Sequence, residues 1–241
     1  MFVKVCGITT EADAMLGVAL GADAIGFVFA PSPRQVSPRA VARIVERLPR
    51  EVVTVGVFRD EMPQRVVEIV NGIGLHAAQL HGQESMQDSR WVAERVSMTI
   101  KAFPAGHAKV ARFSEYGASA VLVDAPSPGS GEVFDWRLAE GVVDPGRLIV
   151  SGGLHAGNVE DAIIHLRPFG VDASSGVESS PGRKDPAKIS AFIGAVRRAE
   201  ATLAERSGEE PADESVGEDS LGGCPRSEST ADGDLFDWQA L

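Results

Sequence analysis

The sequence predicts an α/β protein: a closed (β/α)8 barrel over residues 1–203, followed by an acidic tail over residues 204–241. Three observations predict it. Short apolar, β-prone runs alternate with helix-length amphipathic segments throughout residues 1–200. The β-prone runs are continuously apolar, the pattern of strands covered on both faces. The first strand-to-helix turn, Cys6-Gly7-Ile8-Thr9, lacks the Gly-x-Gly-x-x-Gly that opens a doubly wound dinucleotide sheet, which favours closure over an open sheet. Roughly 200 residues is the lower limit for such a barrel, so most connections must be short.

Phe2 to Cys6 reads as the first strand, and Thr9 or Thr10 caps a helix over Glu11–Leu20 that Gly21 closes. Ala24–Phe29 is the second strand. The stiff Pro31-Ser32-Pro33-Arg34 that follows suits neither helix nor central strand. Ser37 as N-cap, with Pro38 at the first helical position, opens a helix to about Leu48. Val52–Phe58 and a helix over Pro63–Val70 form the third unit. Ala77–Leu80 runs into His81-Gly82 ahead of a helix over Glu84–Val96. Thr99–Phe103, a helix over Ala108–Tyr116, and Ala120–Asp124 continue the alternation. Residues 125–132, rich in Pro, Ser and Gly, read as a mobile loop before a short helix over Phe134–Leu138. Arg147–Val150, a helix over Gly157–Leu166, Phe169–Asp172, and a last helix from Asp185 to about Leu203 complete the eight units.

Composition narrows the class. With 44% hydrophobic and 24% charged residues, the chain suits one globular domain with a sizeable core. No apolar run approaches the ~20 residues of a membrane span, and the N-terminus shows no secretory leader. The two cysteines, Cys6 and Cys224, lie at opposite ends, which fits a cytoplasmic protein without a structural disulfide. The net charge of −11 is concentrated in residues 201–241, where eleven acids face two arginines; that segment carries −9 and residues 1–200 carry −2. Neither part has the basic surface of a nucleic-acid or anionic-membrane binder. The tail has too few apolar residues to offset its ordering entropy and is expected to be disordered. Its end, Gly233-Asp234-Leu235-Phe236-Asp237-Trp238, echoes Gly131-Glu132-Val133-Phe134-Asp135-Trp136. Chance similarity is the simpler account; a motif that docks on the barrel or a partner is the alternative.

In such a barrel the working groups sit at the C-terminal ends of the strands. Those ends supply Cys6, Arg34 beyond the second strand, His81, Asp124, Ser151-Gly152-Gly153, and Asp172 with Ser174-Ser175-Gly176. Gly152 and Gly153 expose backbone N–H groups after strand seven, and Ser174-Ser175-Gly176-Val177-Glu178 can start a short extra helix after strand eight. Together these loops fit the phosphate site typical of the fold. A thiol at a strand tip needs only a modest fall from about 8.5 to act as a base at neutral pH. Asp124 ends an apolar run, where a carboxyl must be paired, solvated or protonated. Arg34 offers a fork of donors to a carboxylate-bearing substrate. His81 and Asp172 are candidates for substrate contact, although a packing role suits His81 equally. No Cys-x-x-Cys pair, His-x-x-x-His or clustered carboxylate points to a metal, and no Walker loop or Gly-x-Ser-x-Gly nucleophile is present.

These pieces resemble the phosphoribosylanthranilate isomerase family of tryptophan biosynthesis. The similar stretches are VKVCGIT at 3–9, GADAIGFVFAPSPR at 21–34, VGVF at 55–58, QLHG at 79–82, LVDA at 122–125, SGGL at 151–154, GVDASSGVE at 170–178 and PGRKD at 181–185. The resemblance implies a TIM barrel that converts N-(5-phosphoribosyl)anthranilate to 1-(o-carboxyphenylamino)-1-deoxyribulose 5-phosphate by an Amadori rearrangement, without cofactor or metal. It implies Asp124 as general acid, Cys6 as general base, Arg34 on the anthranilate carboxylate, and the glycine loops on the phosphate. It extends to a small-molecule phosphosugar as partner and to a monomer or homodimer. The loop after Asp124 carries fewer glycines than the family pattern, and the acidic tail has no counterpart in it.

Two rivals remain open from sequence. A histidine-pathway or dual-substrate sugar isomerase would show a second phosphate loop after strand three and an aspartate ending strand one, whereas this chain has Gly56-Val57-Phe58-Arg59 and Cys6 there. A non-catalytic phosphosugar-binding scaffold would not need Cys6 and Asp124 together.

Overall fold

The computed structural model describes residues 1–125 and 145–208. Eight parallel strands close into a barrel in sequence order: β1 (Phe2–Cys6), β2 (Ala24–Val28), β3 (Val53–Phe58), β4 (Ala77–Leu80), β5 (Met98–Pro104), β6 (Ala120–Asp124), β7 (Leu148–Val150) and β8 (Gly170–Ala173). The seam is β1 on β8, with Phe2 beside Gly170 and Lys4 beside Asp172. The expected TIM barrel is therefore the observed fold.

Around it, among the described residues, lie the helices α1 (Glu11–Ala19), α2 (Pro38–Val45), α3 (Pro63–Ile73), α4 (Met86–Ala93), α5 (Val159–Leu166) and α6 (Pro186–Ser207). Four of these helices, α1, α2, α4 and α6, start at a side chain that satisfies free N–H groups. Thr10 accepts from the Asp13 amide, Ser37 from that of Ala40, Ser85 from that of Asp88, and Asp185 from those of Ala187 and Lys188. Pro38 and Pro186 stand in the first turn, where no N–H is needed.

Strand alternation divides the core into two shells. Phe2, Ala24, Val55, Ala77, Ile100 and Leu122 fill the barrel interior. Val3, Ile25, Phe27, Val121 and Val171 point outward and pack against helix residues such as Val41, Ile69, Ile163 and Phe192. Following the inward face to the strand tips brings Cys6, His81, Asp124, Ser151 and Asp172 to the same mouth.

Three elements differ from expectation. The segment expected as a helix over Ala108–Tyr116 is a 3-10 helix over Val110–Tyr116, with Arg112 outside helical φ/ψ. Its buried residues, Val110, Phe113 and Tyr116, recur every three positions, matching three residues per turn. The helix expected over Glu84–Val96 is shorter, because Glu84 turns away to meet Lys101 and Ser85 takes the cap. An unanticipated hairpin, β9 (Glu178–Ser180) with β10 (Arg183–Lys184), turns on Pro181-Gly182. The expected loop at 125–132 beyond Ala125, the helix over Phe134–Leu138, the tail beyond Gly208 and its terminal motif lie outside the described residues. The last helix itself continues to Ser207.

Candidate active site

Cys6 is the last residue of β1, 6% exposed and on the inward face. Its sulfur needs room from the neighbouring strand, and Gly26 on β2 provides it: a Cβ there would lie 2.7 Å from Cys6 Sγ. Two positions below Cys6 on the same face, Lys4 is fully buried and donates to Asp172 Oδ2 at 2.8 Å. Burial pushes the Cys6 thiol up, and the nearby Lys4 and Lys184 cations partly offset it. Burial would lower Lys4, but Asp172 and Cys6 outweigh it and hold the ammonium above its ordinary value.

Asp124 ends β6, three strands round the barrel from β1, and is 5% exposed. Its Oδ1 accepts from the Ala125 amide at 2.8 Å, and its Oδ2 lies 3.1 Å from His81 Nε2. His81 is in turn 2.8 Å from the Gln79 side-chain amide nitrogen. Gly152, with φ +88°, packs against this group; a Cβ there would approach Asp124 Oδ1 to 2.9 Å, so the position needs glycine for both its backbone and its space.

The two expected phosphate loops flank the mouth between β6 and β1. The N–H groups of Gly152 and Gly153 find no acceptor among the described residues, while Asn158 holds the Gly153 carbonyl at 3.0 Å. After β8, Ser175–Val177 forms a one-turn 3-10 helix that begins at Ser174. The Ser174 carbonyl accepts from Lys184 Nζ at 3.1 Å.

Arg34 is less free than the sequence suggested. Its Nε and Nη2 both donate to Glu178 at 2.8 Å, and its stem lies over Gly7, next to Cys6. Lys184 donates to the other side of Glu178 at 2.9 Å. Burial would raise the Glu178 carboxyl, but Arg34 and Lys184 bring it below the ordinary carboxylate range. Three of the five guanidinium N–H donors remain beyond this bidentate pair.

The structure thus brings Cys6, His81, Asp124, Asp172 and the glycine loops to one mouth and anchors Arg34 at its edge. Sequence reasoning missed Lys4, Glu178, Lys184 and the Lys101–Glu84 pair. Lys101 points outward from β5, buried, and donates to Glu84 at 2.8 Å and to the Leu80, Gly82 and Ala102 carbonyls. It thereby fixes the backbone on both sides of His81. A lysine in the middle of an apolar strand was the available signal for both Lys4 and Lys101. Among the described residues, no group of three His, Cys, Asp or Glu side chains is placed to hold a metal ion, and no helix is long and apolar enough to cross a membrane.

Chemically the mouth offers a thiol and a carboxyl at two strand tips, with unpaired backbone donors between them. A closed parallel barrel carrying such groups at its strand tips has the site arrangement typical of TIM-barrel enzymes. The family model for N-(5'phosphoribosyl)anthranilate (PRA) isomerase matches residues 3–195. The chain belongs to that family. It is 48% identical over 204 residues to the N-(5'-phosphoribosyl)anthranilate isomerase of Desulforudis audaxviator, covering 82% of this chain and 98% of that one. The phosphoribosyl anthranilate isomerase of Thermus thermophilus superposes with a TM-score of 0.77 at 40% identity, over 82% of this chain and 99% of the other. A further isomerase structure, in complex with reduced 1-(o-carboxyphenylamino)-1-deoxyribulose 5-phosphate, superposes with a TM-score of 0.73 at 39% identity, over 82% and 99% of the two chains.

Proposed function

We propose that this protein is a phosphoribosylanthranilate isomerase in which Asp124 and Cys6 divide the proton transfers. Asp124 protonates the ribose ring oxygen and the C1′–O bond breaks, leaving a Schiff base to the anthranilate nitrogen. Cys6, as thiolate, removes the proton from C2′ to give an enolamine, which tautomerises to the 2′-ketone. Such transfers contribute about 10²–10⁴-fold each.

The observation that carries this reading is the pair of strand tips: a carboxyl on β6 and a thiol on β1, both inward, within a chain of this family. The Gly152-Gly153 and Ser174-Ser175-Gly176 loops hold the phosphate, remote from the reacting carbons, and so orient them. Arg34, fixed by Glu178, turns its remaining donors to the anthranilate carboxylate. His81 steadies Asp124, and Asp172 reaches the substrate from beside Lys4. The enzyme works in the cytoplasm on a small phosphosugar, as a monomer or homodimer.

The test is direct. Freshly made phosphoribosylanthranilate is fluorescent and should lose its fluorescence on addition of the purified protein. Cys6→Ala and Asp124→Asn should each abolish most of that rate while leaving the circular dichroism spectrum unchanged. Near wild-type turnover in both variants would refute the assignment.

A further inference from the structure

We infer that Gln79 is a positioning residue that locks His81 in its Nε2–H tautomer, so that the imidazole donates to Asp124 and stabilises the carboxylate formed when Asp124 gives up its proton. This rests on the proposed role of Asp124 as the acid. Gln79 lies on β4 two residues before His81, so strand alternation stacks the two side chains on the inward face. It is 1% exposed, and its Nε2 is 2.8 Å from His81 Nδ1. An amide nitrogen can only donate, so Nδ1 accepts and the proton of the neutral ring sits on Nε2. That nitrogen then donates to Asp124 Oδ2 at 3.1 Å.

Turning the amide over would reverse the chain. Oε1 would require a proton on Nδ1, and the Nε2 lone pair would face Asp124 Oδ2, a repulsive contact unless Asp124 kept its proton. The orientation of one buried amide is thereby coupled to the proton on the acid. Gln79 Oε1 has no hydrogen-bond partner among the described residues, so the amide is held by its donor end alone. The other charged groups near His81 are committed elsewhere. Lys101 on β5 is neutralised by Glu84, and Asp60, from the loop after β3, accepts from the Gln83 amide at 2.6 Å.

The test begins with the wild-type protein, using heteronuclear NMR of ring-labelled histidine to read which nitrogen of His81 is protonated. The Nε2–H tautomer is expected; an Nδ1–H ring would overturn the inference outright. Gln79→Glu, measured at a pH where the new carboxyl is ionised, can only accept, and should move the proton to Nδ1 or charge the ring. Gln79→Met, which offers no hydrogen, covers the case in which the glutamate variant does not fold. Each should lower kcat by about 10–100-fold with KM changed less than about threefold, as when an orienting partner is lost. Adding Gln79→Glu to a His81→Asn background should produce little further loss, because no tautomer remains to control. Unchanged kcat in Gln79→Met, or a loss confined to KM, would overturn the inference. Absence of isomerase activity in the wild-type protein would instead sink the proposed function, and the NMR result would still decide the tautomer.

Discussion

The buried Lys4–Asp172 pair gives the sharpest test of how this barrel is held together. Lys4 is wholly inaccessible, Asp172 has 5% of its side chain exposed, and the ions are 2.8 Å apart. At an effective dielectric of ~20, that separation corresponds to an attraction of about 6 kcal/mol. Removing each ion from water costs several kcal/mol, so the intact pair contributes little net stability. Removing one partner is different, because the survivor keeps its desolvation penalty with nothing to offset it. Asp172→Asn and Lys4→Met should therefore each destabilise the protein by about 3–5 kcal/mol. For a domain of this size that is a fall in Tm of roughly 6–20 °C. The double variant removes both charges and should lose at least ~2 kcal/mol less than the two single losses combined. Urea titrations followed by circular dichroism supply all four corners of the cycle. Single variants within about 1 kcal/mol of wild type, or strictly additive losses, would refute this account of the barrel interior.

Three other outcomes follow from the site. Gly26→Ala places a methyl group 2.7 Å from Cys6 Sγ and should displace the thiol, lowering kcat by about tenfold or more at a stability cost of about 1–3 kcal/mol; unchanged kcat would show that the sulfur does not need this space. Because burial raises the Cys6 thiol and a base must be deprotonated, kcat/KM of the free enzyme should keep climbing as pH rises through and beyond about 8.5. A plateau already reached below neutrality would exclude this thiol as the base. Glu178 sits below its ordinary range, so its contribution to stability is complete above about 4.3 and is lost as pH falls through its lower folded value. Denaturation midpoints at pH 3 and 6 should show the wild type losing more stability on acidification than Glu178→Gln; equal losses would contradict the assignment.

Much of this was legible in the chain. Asp124 terminates an aliphatic run, and Cys6 and His81 each come at the end of a short strand of mostly apolar residues; a polar residue at that place must either meet a partner or face a mouth. The Gly152-Gly153 pair after β7 was as plain, whereas the space that Gly152 leaves beside Ala125 and Asp124 was not. The partners were not legible. Lys4 signals its need by standing among valines, but its carboxylate lies 168 residues away, and no local pattern selects Asp172 over other acids. Arg34 reads from sequence as a fork of donors for a substrate carboxylate, with no sign of an internal partner; the Glu178 that takes two of its donors is followed by a hairpin turn at Pro181-Gly182 that the sequence marks. The expectation of 3.6-residue periods hid the three-residue spacing of Val110, Phe113 and Tyr116.

The seam between the first and eighth strands also governs how such a chain is made. During synthesis the first strand emerges early, yet its lysine has nowhere to go until the aspartate of the last strand follows 168 residues later. Until then the ammonium must stay in water, which disfavours early burial of that strand against a premature neighbour. Closing so long a loop is slow, and it makes completion of the barrel a late, cooperative event. An incomplete nascent chain is thus left open at the edge where its last piece belongs.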